Sequence, residues 1–330
     1  MPLLLSQDDL RPLIERSELL AGAFEAIEAA VLQHQRGESG RAGIVIHPLD
    51  AEHSVILYST SSTEGMSVRA YPNVGFVQDV PDSHVWLLFD GRTGGLLAVL
   101  ACDELNALRT AVPAGLAARY LAPSGARSLC MLGTGRQARA QIRTILHGVP
   151  SIERVLVWSP TRTHCVSYAS EMHKALSIDV YAADTCREAV EQADIVCSAG
   201  QVRDRPAFDG KWVRPGALII SLTRGSQPVL DARIVLPALK RPEPLTPTRP
   251  EPGSGEGHQQ EPLGLADIIQ GVAKAREHDG QTVLFDLAAM YGWDTPMMRW
   301  AYEWASKNDI GIRFSLTSEQ AGLFCAWPKI

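Results

Sequence analysis

Nowhere in this sequence do two cysteines stand close enough to share a metal ion or to form a local redox pair. The six are Cys102, Cys130, Cys165, Cys186, Cys197 and Cys325. No CxxC pair occurs, and no histidine neighbours them at ligand spacing, so no metal site is expected. They read as small buried hydrophobes in a reducing compartment. A basic footprint is missing as well. The net charge is -6 with the lysines and arginines scattered, which excludes the one-sided positive face that nucleic acid requires. No stretch approaches the ~20 apolar residues of a membrane span. The opening Met1-Pro-Leu-Leu-Leu-Ser-Gln-Asp-Asp is too short an apolar run for a signal segment and has no basic lead, so a cytoplasmic location is expected.

What is present is ordinary globular composition, 45% hydrophobic and 21% charged over 330 residues, with length enough for two domains. Leu3 to Leu5 reads as a strand, and Ser6 with Asp9 three residues on reads as a helix start. Leu19, Leu20, Ala23, Ile27, Ala30 and Val31 keep helical spacing up to Gly37. Short apolar runs follow at Ile44–Ile46, Val55–Leu57, Val85–Phe89 and Leu96–Leu100. The last two flank a Gly-rich connection that reads as a hairpin. Asp103 to Tyr120 reads as a helix that Pro113 should kink or break.

After Pro123-Ser-Gly the rhythm alternates. Strands are expected at Ser128–Leu132, Arg154–Trp158, Ile178–Tyr181, Ile195–Ser198 and Ala217–Leu222. Helices are expected at Gln137–Leu146, Thr163–Leu176 and Cys186–Gln192. Such alternation predicts a parallel sheet covered by helices. Lys240 to Pro262 is crowded with proline, glycine and charge and reads as an exposed, flexible loop. Val283–Leu287 reads as a further strand and Pro296–Ser306 as a helix.

One turn carries chemistry. Gly133-Thr134-Gly135-Arg136-Gln137-Ala138 follows an apolar strand and opens a helix, the context in which a glycine turn binds a dinucleotide. Gly133 permits the tight turn, Gly135 lets backbone approach a pyrophosphate, and Ala138 is small enough for close helix–strand packing. The helix N-terminus offers N–H donors to the phosphates. The expected fold class is therefore α/β, with a doubly wound Rossmann sheet. Past the second strand, Ser159-Pro-Thr-Arg162-Thr163 contains no acid. A ribose 2′-hydroxyl would call for Asp or Glu there, whereas Ser159 and Arg162 suit a 2′-phosphate. NADP(H) is favoured over NAD(H), the alternative being that Arg162 simply starts the next helix in solvent.

With that turn in place, the chain resembles the ornithine cyclodeaminase/mu-crystallin family. Leu105-Asn-Ala-Leu-Arg109-Thr110-Ala-Val-Pro-Ala is similar to the family segment Leu-Thr-Ala-Xaa-Arg-Thr-Ala-Ala, and Gly133 to Ala138 is similar to its Gly-Thr-Gly-Xaa-Gln-Ala turn. Leu88-Phe-Asp-Gly-Arg-Thr-Gly94 resembles the preceding hairpin, and Asp294 with Ile310-Gly311 resembles the last helix. The resemblance implies a Rossmann domain, 123–290, inserted into a discontinuous substrate-binding and dimerisation domain, 1–122 with 291–330. It also implies a homodimer and hydride transfer between NAD(P) and the α-carbon of an amino or imino acid.

The resemblance makes Arg109 the grip on the substrate carboxylate, a role that a guanidinium fork suits, and puts Thr110 beside the cofactor. Arg41 resembles a second carboxylate-binding arginine, the alternative being a solvated loop residue. Asp294 would orient a substrate ammonium or cap its helix. Two positions depart from the pattern. Arg69 stands where the family has a catalytic lysine, and Thr223 where the cyclodeaminase has a proton-shuttling aspartate. Neither exchanges a proton readily near neutrality, which argues against cyclodeamination. An imine reductase or amino-acid dehydrogenase is expected. The alternatives are a diaminopropionate-type synthase, oxidising and hydrolysing an N-substituted amino acid, and a non-catalytic nucleotide- or ligand-binding protein.

Overall fold

The computed structural model describes residues 1–46, 54–73, 84–101, 103–200, 208–222, 232–237, 262–287 and 292–317. From the N-terminus run β1 (Leu3–Leu5), α1 (Gln7–Glu15), α2 (Leu20–Gln35), β2 (Gly40–Ile46), β3 (Ser54–Ser62), β4 (Gly65–Asn73), β5 (Val85–Asp90), β6 (Leu96–Ala101) and α3 (Asp103–Leu121). Next come β7 (Ser128–Leu132), α4 (Arg136–Gly148), β8 (Arg154–Trp158), α5 (Arg162–Leu176), β9 (Asp179–Ala182), α6 (Cys186–Glu191), β10 (Ile195–Ser198) and β11 (Leu218–Ser221). The rest are β12 (Arg233–Leu236), β13 (Leu263–Gly264), α7 (Leu265–Ile269), β14 (Val283–Asp286), α8 (Asp294–Lys307) and β15 (Ile312–Arg313).

These strands form two sheets. The first, ordered β15-β1-β6-β5-β4-β3-β2, is antiparallel except where β1 lies parallel to β6. The second, ordered β13-β12-β14-β11-β10-β7-β8-β9, is wholly parallel. Strands β7, β10 and β11 are buried along their whole length, as a sheet covered on both faces demands. From β7 the chain adds β8 and β9 on one side, then crosses back to place β10 and β11 on the other. That reversal creates the crevice at the strands' C-terminal ends where doubly wound folds take their ligands.

Local signals account for most element ends. Ser6 Oγ accepts from Asp9 N at 3.3 Å and Asp9 Oδ2 accepts from Ser6 N at 2.8 Å, the expected reciprocal cap of α1. Helix α3 runs through Pro113 without the break that was one of the two expectations there. A proline forfeits one backbone bond, but residues 111–118 are all buried, and their packing holds the helix across the gap. Strands β12, β13 and β15 and helix α7 were not anticipated. They are two to five residues long, too short to show a period. Residues 240–261 of the proline-rich stretch lie outside the described residues.

Helices α3 and α4 join the two halves closely. A Cβ on Gly115 would come within 2.6 Å of Phe24 Cζ and nearer still to the Thr144 carbonyl oxygen, while Thr144 Oγ1 donates to Ala111 O at 2.8 Å. Gly115→Ala should therefore cost ~1–3 kcal/mol through overpacking. Chemical denaturation measures it, with Gly280→Ala as the comparison. A Cβ on Gly280 would come no nearer than 3.5 Å to His278 Nδ1, an ordinary contact, so that variant should change stability by ~0.5 kcal/mol or less. Equal losses would refute the close helix contact.

Candidate active site

Alternation along the first sheet decides which side chains face the helices. In β5, Trp86 and Leu88 are buried while Val85, Leu87 and Phe89 are half-buried on the other face. Arg69 pairs with Trp86 and with Tyr58 across the strands, and Ser67 pairs with Thr60, so this inner face carries polar groups as well as aromatics. Three hydroxyls there tie down the start of α8. Thr295 Oγ1 lies 2.7 Å from Thr60 Oγ1 and 2.8 Å from Ser67 Oγ, it donates to Thr60 O at 2.9 Å, and Thr295 N donates to Thr60 Oγ1 at 3.2 Å. All three residues are buried, and the bonds meet the requirement that buried polar groups be satisfied.

That anchorage delivers Asp294 to two arginines. Its Oδ1 lies 3.0 Å from Arg109 Nε and its Oδ2 lies 3.6 Å from Arg69 Nε. Asn106 joins the same two groups, its Oδ1 accepting from Arg69 Nη1 at 2.9 Å and from Arg109 Nε at 3.2 Å. Arg69 and Asp294 are only 9% and 6% exposed, where each charge would be expensive without the other. Asp103, Asn106 and Arg109 follow at three-residue spacing on α3, so each neighbours the next on the helix surface. Asp294 is the first residue of α8, which Trp293 precedes without a side-chain cap, and its oxygens face the two guanidiniums.

An aromatic wall surrounds Arg69. Its Cζ lies 4.8 Å from the Tyr71 ring centroid, 5.4 Å from Tyr58 and 5.9 Å from Trp86. Guanidinium favours such faces, and the rings exclude water from the ion cluster. Arg41 lies on strand β2, not in a loop, with its Cζ 5.1 Å from the Tyr58 ring. Burial pushes the Tyr71 phenol above its ordinary range, with the Arg69 and Arg109 charges opposing that shift. The His84 ring sits 5.6 Å from that of Tyr71, and its Nδ1 bonds to Asp103 Oδ1.

The glycine turn meets the demands of a dinucleotide. Gly133 has φ 118°, and a Cβ there would come within 3.1 Å of Gly200 N and 3.2 Å of Ala199 C. A Cβ on Gly135 would meet nothing within 4 Å among the described residues, and Gly135 begins α4 without a side-chain cap. Among the described residues, Ser198 Oγ, at the end of β10 beside Leu132, and Gln137 Oε1 are buried without a hydrogen-bond partner. A helix start without a side-chain cap, room at Gly135 and these two polar atoms at the crevice fit a nicotinamide dinucleotide. Ala138 is fully buried, with its carbonyl accepting from Tyr168 Oη at 2.9 Å. The two sites are linked through α3, since Thr110, next to Arg109, presents its carbonyl to Gln141 of α4 at 3.5 Å. The Thr110 hydroxyl donates to Asn106 O within α3.

The residues expected at the 2′-position are more engaged than the sequence suggests. Arg162 Nη1 donates to Ala182 O at 2.9 Å and Ala183 O at 2.7 Å, and Nη2 lies 2.9 Å from Asp184 Oδ1. Ser159 N donates to Cys165 Sγ at 3.0 Å. Arg136 is exposed and Thr134 half-buried at the turn, and Thr223 lies outside the described residues. Sequence reasoning missed Asn106, His84, Asp103, Tyr58, Tyr71, Trp86, Ser198 and Asp184. Of these, Asn106 alone carried a signal, one helical turn before Arg109.

With this geometry in hand, comparison with known proteins places the chain. The model of the ornithine cyclodeaminase/mu-crystallin family matches residues 77–309, and the chain belongs to that family. It is 30% identical over 230 residues to the ketimine reductase mu-crystallin of Rattus norvegicus, covering 66% of this chain and 70% of that protein. It is 25% identical to a Delta(1)-pyrroline-2-carboxylate reductase of Bacillus cereus, over 89% and 96% of the two chains. The Thermococcus litoralis Delta(1)-pyrroline-2-carboxylate reductase, solved with NADH and L-proline, superposes with a TM-score of 0.74 at 26% identity, covering 94% of this chain and 100% of that one.

Removing the shared carboxylate should be felt by both arginines. Asp294→Ala is expected to lower stability by ~3–5 kcal/mol, because it strands buried guanidiniums. Asp294→Asn, keeping volume and one acceptor, should lose less. Urea denaturation decides it, and a loss under 1 kcal/mol for the alanine variant would show that Asp294 does not hold the cluster together.

Proposed function

We propose that this protein is a nicotinamide-dependent oxidoreductase that reduces the C=N bond of a small α-imino carboxylate, or oxidises the corresponding amino acid. The observation that carries this reading is the pairing of Arg69 and Arg109 across one buried carboxylate, on the helix face beside the dinucleotide crevice. Asp294 and Asn106 both meet Arg109 at Nε, which fixes the plane of a guanidinium whose fork suits a substrate carboxylate. Arg69 supplies the second fixed charge, and Asn106 sets the distance between the two. The Tyr58, Tyr71 and Trp86 rings keep water away from the bound α-carbon. When bound, the nicotinamide supplies or receives the hydride. The protein's share is orientation and a dry, preorganised field. Cyclodeamination is not part of the proposal, since arginine in place of lysine does not move protons. The relatives' names, ketimine reductase and pyrroline-2-carboxylate reductase, support the same chemistry.

The proposed division is 1–122 with 291–330 for substrate binding and dimerisation, and 123–290 for the nucleotide. A homodimer through the outer face of the first sheet accompanies it. Ile312, Leu4, Val99, Leu87 and Val68 lie side by side across five strands on that face. Ile312 is 65% and Leu4 42% exposed, an apolar row that a second copy would cover.

NADP(H) is the proposed cofactor, because the turn after β8 offers Arg162 and no acid. A 2′-phosphate would take the place of Asp184 on the Arg162 guanidinium. The direct test follows absorbance as NADPH is consumed with Delta(1)-pyrroline-2-carboxylate and a panel of open-chain imino acids; binding without turnover on every one would overturn the enzyme reading. Fluorescence titration tests the cofactor. NADPH should bind ~1–3 kcal/mol more tightly than NADH. Arg162→Ala should erase most of the gap, and Asp184→Asn should widen it. Equal affinities in the unaltered protein would refute the assignment.

A further inference from the structure

Reduction of a neutral imine needs a proton as well as a hydride, and the groups that grip the carboxylate cannot give one. Arginine keeps its proton, both Asp294 oxygens face guanidiniums, and burial pushes the Tyr71 phenol up and makes it a weaker acid. Another group lines the same wall. His84 lies two residues before Trp86 on the strand edge facing β4, its ring against Tyr71, and Tyr71 in turn lies under Arg69. Asp103 takes the Nδ1 side of the ring, which fixes the imidazole and leaves Nε2 as the exchanging nitrogen. On α3, Asp103 neighbours Asn106 and Asn106 neighbours Arg109 at three-residue spacing, so one helix carries both the group that orients the imidazole and the carboxylate grip. His84 and Asp103 side chains are 28% and 32% exposed, open enough to exchange protons with water.

We propose that His84, oriented by Asp103, is the proton donor to the substrate nitrogen in reduction and the acceptor in oxidation. This rests on the imine-reductase reading above. In the step, a hydride taken from a reduced nicotinamide forms the new C–H bond, and the cofactor leaves oxidised by two electrons. The C=N π pair moves onto nitrogen, which forms its N–H bond with the proton of His84 Nε2, and the imidazolium becomes neutral imidazole that water reprotonates. The charged and titratable groups around the ring among the described residues are Asp103 on α3 and Tyr71 on β4. Arg69, Tyr58, Arg109 and Asp294 stand behind the phenol.

Two probes separate proton transfer from a merely structural role. In mildly alkaline buffer, His84→Gln should reduce Delta(1)-pyrroline-2-carboxylate ~100-fold or more slowly than the unaltered enzyme. It should reduce the N-methyl iminium analogue, which needs no proton, within ~3-fold of the unaltered rate. Asp103→Asn should show the same pattern more weakly. The second readout needs no turnover. By calorimetry the unaltered protein should prefer pyrrole-2-carboxylate, an N–H donor, over isosteric furan-2-carboxylate by ~10-fold, as expected of one hydrogen bond, and His84→Ala should erase that preference. Equal losses on the imine and the iminium, with the pyrrole preference kept, would overturn the role of His84 alone. An unaltered enzyme inactive on both substrates would overturn the imine-reductase reading and this proposal with it.

Discussion

Two guanidinium groups can share one buried wall only if something of opposite charge holds them there, and Asp294 does so from the first residue of α8. Its position is not set by a helix cap but by the hydroxyls of Thr60, Ser67 and Thr295, which pin that helix end to the sheet. Arg69 comes from β4, Arg109 from α3 and Asp294 from a helix near the end of the described chain, so the cluster closes the first sheet on the helices over it. The arrangement costs desolvation that only good geometry repays. A structure that maintains it spends stability on a preorganised anion-binding face.

The fold was legible where a period or a punctuation mark was strong. The alternation of β7 through β11 with α4, α5 and α6 showed plainly because each buried strand is short and apolar and each helix follows a turn residue. The Ser6–Asp9 cap and the glycine turn had mechanisms that a single sequence can show. Pro113 did not break α3, since a lost backbone bond is a local cost and burial of the surrounding turns is a tertiary gain. Strands β13 and β15 carried no signal because two residues cannot express alternation.

The site was half legible. Arg109, Arg69 and Asp294 could be named from motif and resemblance, but their contact could not, as it joins positions far apart in the chain. Asn106 and Asp103 become meaningful only once the face of α3 is known, and His84 only once β4 and β5 are paired. Arg162 shows another limit, since its partner Asp184 comes from the turn after β9, which sequence alone could not place beside it. Arg69, which stands where the family has lysine, donates to Asn106 of α3. The exchange replaces a proton-exchanging cation with a rigid one and moves any proton transfer elsewhere on the wall.

The account stands on the claim that the two arginines exist to hold a substrate carboxylate. Calorimetry with pyrrole-2-carboxylate and its uncharged carboxamide measures that directly. The carboxylate should bind ~2–4 kcal/mol more tightly, the range of a charge-assisted, partly buried pair, and Arg109→Ala should remove most of the difference while leaving carboxamide affinity nearly unchanged. Equal affinity for the two ligands, or a difference that survives Arg109→Ala, would contradict it.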